Sequence, residues 1–449
     1  MPTSEEIQTC INNLDSNSNV TDLIVLAAQT NDATTNRAIS VAQTCDLPDL
    51  ASVSVSVGTV FFVQSLCVPV VAGIGSWLGM DNQVLRQDST GGVAWSWGGN
   101  CQGRLGDGSC TNRSSPVSVV GGFTDWSQLS AGRYHSLGLR TNGTAWGWGC
   151  NGSGRLGDNN ATVTQRSSPV LVVGGITDWC QISAGAYHSL GVRQNGTAWG
   201  WGYNGSGRLG DNTTTARSSP VSVVGGFTDW CQVSACFHSL GVRQNGTAWG
   251  WGYNNSCQLG DSSSTARSSP VSVSGGFTDW CQVSAGRSHS LGVRQNGTAW
   301  AWGQGGAGQH GDNNTSNRNS PAQVIGGFTD WCQISAGYQH SIAVRQNGTA
   351  WGWGYNNQGQ LGLGDTTSRT SPTLIREGFT DWCQVAAGAR HSLGVRQNGT
   401  AWGWGYNSQG GLGDNTSGGK SIPGVVFGGL TNWYQVSANQ QHSLGIIKY

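Results

Sequence analysis

Residues 188–202 read His-Ser-Leu-Gly-Val-Arg-Gln-Asn-Gly-Thr-Ala-Trp-Gly-Trp-Gly. Two alternating runs flank Asn195-Gly196, and Asn-Gly supplies the two positive-φ residues of a type I′ turn. Residues 188–194 and 197–202 are therefore expected to be antiparallel neighbours. Along the second run Trp199 and Trp201 share one face and Gly200 the other, which lets an adjacent sheet pack closely. Residues 178–184 supply a third strand and residues 170–173 a shorter fourth.

This unit recurs. Trp-x-Trp begins at Trp95, Trp146, Trp199, Trp249, Trp300, Trp351 and Trp402, and His-Ser begins at His135, His188, His238, His289, His340, His391 and His442. Both series step by 50 to 53 residues. Between them each unit carries a Gly-rich Leu-Gly-Asp loop, Ser-Pro-Val, and Phe-Thr-Asp-Trp-Cys-Gln-Val-Ser-Ala-Gly or close variants. Four strands per unit, seven times, is the arithmetic of a seven-bladed all-β propeller spanning residues 92–449. The array opens at Gly92 with a Trp-x-Trp strand that has no His-Ser strand before it. It closes at residues 442–449 with a His-Ser strand that has no Trp-x-Trp strand after it. Pairing these two halves completes one hairpin, closes the ring and leaves no long sheet edge exposed.

The units resemble regulator-of-chromosome-condensation repeats. The Trp-Gly, Gly-x-Leu-Gly-Asp and Ala-Gly-x-x-His-Ser-Leu features carry the resemblance over residues 92–449. It implies the seven-bladed fold independently of the strand count. Members of that family include a nucleotide exchange factor for a small GTPase and a bacterial inhibitor of β-lactamases, so the fold implies no single activity. This chain carries no basic N-terminal tail and no wedge inserted within a blade. Exchange activity and chromatin binding are not expected of it.

Composition narrows the function classes. The 449 residues hold 23 basic and 23 acidic side chains, and this neutrality argues against a nucleic-acid partner. Charged residues make up 10%, against roughly 25% in an average domain. Gly at 72 and Trp at 22 suit tight turns and packed sheets. Thirteen cysteines are an odd number, and five of them, Cys180, Cys231, Cys281, Cys332 and Cys383, stand between Trp and Gln. No Cys-x-x-Cys pair supports a metal site. Small buried thiols made in a reducing cytosol are expected, with extracellular disulfides as the alternative. The N-terminus has no secretory signal pattern. The uncharged stretch 50–80 is long enough to span a membrane, but its Val-Ser alternation at 53–57 reads as strand, so membrane insertion is not expected.

Chemistry is scarce. The seven repeated histidines occur once per blade, which marks a fold role in which each ring bonds loop backbone. His310 replaces the Leu of a Leu-Gly-Asp loop and is expected to be solvated. Asp158, Asp211 and Asp261 follow Leu-Gly, where Asp accepts backbone N–H bonds. A calcium loop is the alternative, but the spacing lacks a dense carboxylate set. The Asn-Gly-Thr triplets fit glycosylation sequons, and their place at hairpin turns explains them without glycans. No catalytic triad order, phosphate loop or dinucleotide fingerprint is present. No catalytic residue, metal or cofactor is expected.

Comparing the units locates a candidate interaction surface. The dipeptide before each His varies, giving Arg133-Tyr134, Ala186-Tyr187, Arg287-Ser288, Tyr338-Gln339 and Ala389-Arg390, and in unit three it shrinks to leave Phe237 before His238. The loop after Trp-x-Trp-Gly also varies, opening with Tyr203, Tyr253, Tyr355 or Tyr406 in four units. Antiparallel order puts both loops on the rim opposite the Asn-Gly turns. Arg133, Tyr134, Tyr187, Tyr203, Phe237, Tyr253, Arg287, Tyr338, Tyr355, Arg390 and Tyr406 are the candidate binding residues, because Tyr, Phe and Arg anchor interfaces. The resemblance to the β-lactamase-inhibiting propeller implies the same kind of rim.

Residues 1–91 hold no repeat. Residues 1–48 read as a helical anchor or oligomerisation segment, with an apolar stripe at Ile7, Cys10, Ile11 and Leu14 and further helices at 20–29 and 33–44. Residues 49–91 read as a small β module with strands at 53–57, 59–64 and 68–72. Residues 58–71 together with Trp77-Leu-Gly-Met-Asp81 are similar to N-terminal modules of structural proteins from tailed bacteriophages. That resemblance implies a virion-attached protein assembled in a host cytoplasm. Residues 1–91 would contact other virion proteins, as a homotrimer in one form, and the propeller rim would take a host-surface protein or glycan. A cytoplasmic propeller acting as protein-binding scaffold or enzyme inhibitor is the alternative.

Overall fold

The computed structural model describes residues 91–448 apart from 161 and 163. It also describes the backbone of short strands at Ser40–Val41, Val60–Val63, Val68–Val71, Gly79–Met80 and Gln83–Val84. Val60–Val63 and Val68–Val71 pair antiparallel, where two of the three expected strands lie. Ser40–Val41 pairs parallel to Phe62 and Val63, so these two residues are extended inside the expected helix at 33–44. The helices expected at 1–48 otherwise, and the strand at 53–57, lie outside the described residues.

Seven four-stranded antiparallel sheets form the propeller. Blade 2 shows the plan: Trp179–Ala184 innermost, then His188–Arg193, Ala198–Gly202 and Arg217–Ser222 outermost. The seventh blade combines both ends of the array. Trp433–Ala438 and His442–Ile447 are followed by Val93–Gly98 and Arg113–Ser118, with His442 opposite Gly98 and Ile447 opposite Val93. The ring is closed by backbone hydrogen bonds between the two ends of the repeat array.

Two local expectations need correction. Asn195 does not take positive φ; only Gly196 does, at 72°. Gly196 N donates to Arg193 O at 2.9 Å and Arg193 N to Thr197 O at 3.0 Å. This is a three-residue turn with a glycine bulge rather than type I′. Asn195 keeps a role, because its Oδ1 accepts from the Thr197 hydroxyl at 2.7 Å. The outermost strand also begins earlier than the sequence suggested. In blade 1 it is Gln165–Leu171, with Pro169 inside it. A strand with a free edge has no ladder partner on that side, so it tolerates proline there.

Packing between blades explains the Trp and Gly periodicity. Trp201 is fully buried and sits with Trp179 and with Leu137, Leu139 and Val172 of blade 1. Its ring lies 5.7 Å from that of Trp179. Removing such a ring from water contributes at most about 4–6 kcal/mol. Trp199 instead stays half-buried, with its indole N–H donated to the Thr197 hydroxyl at 2.9 Å. Gly191 gives the Trp179 ring room, since a Cβ there would lie 2.7 Å from it.

Polar side chains stitch the innermost strands together. Gln181 Nε2 donates to Val233 O at 2.7 Å, and its Oε1 accepts from Val233 N at 2.7 Å. The amide thus occupies the place of a strand between blades 2 and 3. Gln128, Gln232, Gln282, Gln333 and Gln384 make the same pair of bonds to the following blade. Gln435 accepts from Leu129 N at 2.7 Å and carries the series across the closure.

Candidate functional site

The seven repeated histidines form a second closed ring, with Nε2 of each facing a serine hydroxyl of the next blade. His135 reaches Ser189 at 2.9 Å, His188 reaches Ser239 at 2.8 Å, and the series returns from His442 to Ser136 at 2.9 Å. Each serine hydroxyl in turn donates to a loop carbonyl, as Ser189 does to Arg155 O at 2.8 Å. The serine therefore accepts from His, which fixes the proton on Nε2 and leaves Nδ1 bare. The histidines were expected to bond loop backbone; the serine stands between ring and carbonyl. Burial holds these imidazoles below their ordinary 6.5, with His238 and His340 pushed down to about 3 and His391 to about 4. A neutral, buried, once-per-blade imidazole is a structural part. His310 is also fully buried, contrary to the expectation of a solvated side chain, and burial pushes it down to about 4.

The loop aspartates are likewise engaged. Asp211 accepts from Asn204 at 2.9 Å, from Thr213 N at 3.1 Å and from Arg217 at 3.2 Å. Cys180 Sγ donates to Val192 O at 3.3 Å across its own sheet, and burial pushes its thiol up to about 12. Among the described residues no three His, Cys, Asp or Glu side chains converge to hold a metal. No helix of the described residues is long and apolar enough to cross a membrane.

The variable loops do share one rim. Tyr203 N donates to Tyr187 O at 3.0 Å, Tyr355 N to Gln339 O at 2.9 Å and Tyr406 N to Arg390 O at 2.9 Å. The candidate residues do not form one even ring. Tyr187 is the centre of a cluster, with Tyr134, Tyr203 and Phe237 rings at 5.9, 6.0 and 5.6 Å. Phe237 continues to Tyr338 at 6.0 Å. The Arg133 guanidinium lies 4.8 Å above Tyr134 and 5.7 Å from both Tyr187 and Phe237, and it donates to the Tyr187 hydroxyl at 3.0 Å. Arg287 lies 5.7 Å from Phe237. Tyr253 is tied in only through Arg208, at 5.9 Å. Arg390 and Tyr406 form a separate pair at 5.8 Å, and Tyr355 stands apart from the cluster.

One missing residue gives the cluster its shape. In other blades the second residue before the repeated His links to the next blade: Arg133 N donates to Gly185 O at 3.1 Å and Arg287 N to Gly337 O at 3.3 Å. Blade 3 lacks that residue, while Cys236 N keeps the bond to His238 O at 3.0 Å that Gly185 N makes to His188 O in blade 2. Tyr338, from blade 5, packs with Cys236 and Phe237 beside this gap, and its buried hydroxyl has no hydrogen-bond partner among the described residues.

Sequence reading missed Arg104, Arg155 and Arg208. All three are buried, and they flank the tyrosines: Arg155 lies 5.7 Å from Tyr187 and Arg208 lies 5.2 Å from Tyr203. The signal was available. At the same repeat position other units carry Gln258, Gln309, Gln360 and Gly411. The neutrality of the chain was also misleading. From residue 91 onward there are 21 Arg and Lys against 14 Asp and Glu, a surplus of 7, offset by residues 1–90.

Comparisons with known proteins agree with this architecture. The regulator of chromosome condensation (RCC1) repeat model matches residues 91–139, 142–192, 245–293, 296–344 and 347–395. The ultraviolet-B receptor UVR8 of Arabidopsis thaliana is 30% identical over 356 residues, covering 78% of this chain and 68% of UVR8. The probable E3 ubiquitin-protein ligase HERC6 of Homo sapiens is 35% identical over 168 residues, 36% of this chain and only 15% of HERC6. Among solved structures, human WBSCR16 superposes with a TM-score of 0.71 at 21% identity, covering 80% of this chain and all of that one. Prp20p of Saccharomyces cerevisiae gives 0.71 at 20% identity, covering 83% and 93%. Seven blades, the closing hairpin, the once-per-blade His and Trp pairs and these matches lead to one conclusion: the chain belongs to the RCC1 repeat family.

Proposed function

We propose that this chain is a cellular protein-binding propeller whose variable rim, centred on Tyr187 and Phe237, is the docking surface. The observation that carries the reading is the asymmetric Tyr–Phe–Arg cluster. It draws on blades 1 to 5 and is held on a scaffold whose blades are joined by buried hydrogen-bonded rings. Rigid aromatic and Arg side chains give contact area at low entropic cost. Prp20p, which shares the fold, is described with binding properties to Gsp1p and histones, which supports use of the fold for protein binding. Catalysis is not part of the proposal, because the repeated polar groups are consumed in structure.

The virion reading is not carried forward. It rested on residues 58–81, and the repeat matches begin at residue 91. The relatives named above come from a plant, human and yeast. The test is affinity capture from a cell lysate with the full chain, comparing wild type with Tyr203→Ala plus Phe237→Ala. Specific partners should fall at least tenfold with the rim variant. Unchanged capture would place the docking surface elsewhere.

A further inference from the structure

We propose that the rim selects a carboxylate-rich protein segment, an inference that rests on the rim being the docking surface. All thirteen aspartates from residue 91 onward are paired with an Arg or Lys, at 2.6–3.2 Å. These pairs repeat in two places: the Leu-Gly-Asp loop with the outermost strand, and the Thr-Asp-Trp segment with the end of the second strand. None involves the variable rim. Arg104, Arg133, Arg155, Arg208, Arg287 and Arg390 stand there, and none has a carboxylate within 4.0 Å among the described residues. Apart from Arg376, the described arginines without a carboxylate partner gather on this surface.

Six guanidiniums on one face make a field that attracts an anion. Their arrangement separates near from far groups. Arg104, Arg155 and Arg208 are buried beneath the tyrosines, and Arg208 keeps a buried Nη1 without a hydrogen-bond partner. Arg287 and Arg390 are exposed and free to make the paired N–H contacts that suit a carboxylate.

A single-stranded nucleic acid would use the same charge but needs open aromatic faces for its bases. At the centre of the cluster those faces are taken. Arg133 covers Tyr134, and Tyr187 and Phe237 meet edge to face at 87°. A protein partner needs only the carboxylates.

The experiment uses the full chain and a fluorescein-labelled twenty-residue oligoglutamate, read by anisotropy at about 50 mM salt. The expected result is saturable binding that weakens at least tenfold in Arg287→Gln plus Arg390→Gln, and at least tenfold at about 300 mM salt. Arg376→Gln, in the loop after the outermost strand of blade 5, should leave it unchanged. Arg133→Gln is a second variant whose thermal melt reports whether the cluster stays folded. Three results would overturn the proposal: no binding, equal loss with Arg376→Gln, or tighter binding of a twenty-nucleotide oligothymidylate. Loss of lysate capture in Tyr203→Ala plus Phe237→Ala, without oligoglutamate binding, would leave the rim standing and remove only its acidic preference.

Discussion

Acid should unfold this protein steeply, because all eight histidines are buried and neutral. Burial is the first cause of each shift, and neighbouring Arg side chains add to it for His135, His188, His238 and His442. The sign follows from linkage. A base whose folded pKa is depressed binds protons preferentially when unfolded, so its stabilisation is complete above 6.5 and is lost as pH falls below that value. Between pH 7.5 and 5.5 each such imidazole costs about 1.4 kcal/mol, and eight cost about 11 kcal/mol. Domains are held by roughly 5–15 kcal/mol, so the acid midpoint should fall between about pH 5 and 6. The aspartates Asp107, Asp211, Asp261, Asp365 and Asp414 are shifted below 3.8 and titrate later. The assay is guanidinium unfolding from pH 7.5 to 5.5, with the slope of stability against pH giving proton uptake. About 7 protons are expected at pH 5.5, and His391→Gln should remove one. An uptake below about two protons would refute the claim that these rings are neutral in the folded state.

Other outcomes test the packing. Gly196→Ala should cost about 1–3 kcal/mol, since Gly196 takes φ of +72° and a Cβ would lie 2.0 Å from Thr228 O; thermal denaturation measures it. Ile176→Phe should stabilise by about 0.5–1 kcal/mol. In five other blades an Arg lies 3.7–4.1 Å over a Phe at this position, whereas Arg193 faces only Trp199 at 5.8 Å. Trp201→Ala should lose about 3–5 kcal/mol, and Trp199→Ala clearly less, in parallel melts. Among the cysteines of the described residues, thiol alkylation at pH 7.5 followed by peptide mapping should label the exposed Cys101 and Cys110 first. Cys180 and Cys231, whose thiols burial pushes up to about 12, should be labelled last.

The fold was legible because its determinants are periodic. Trp-x-Trp, Asn-Gly and the split hairpin each state a strand or a turn, and seven copies average out local error. The turn type was misread because Asn-Gly serves two hairpin geometries, and only the following Thr, which bonds back to the Asn195 side chain, separates them. The Gln and Ser partners of the inter-blade rings were present in the repeat but lay on strands whose polar positions look solvent-facing in isolation. They become buried only once neighbouring blades meet. His310 was misplaced for a similar reason: a polar residue in a Leu position inherits the burial of that position, not the habit of its own type. The rim residues were found by variation among units. Their grouping was not, since it depends on which blades lie side by side and on rings reaching over the gap at Cys236.

That gap has a further consequence. A ring of seven near-identical sectors would offer a visiting molecule seven interchangeable ways to sit, each filled at random. The absent residue between Cys236 and Phe237, with Tyr338 leaning across it, marks one sector as different and gives the disc a unique azimuth. A bound molecule can then be oriented as well as held.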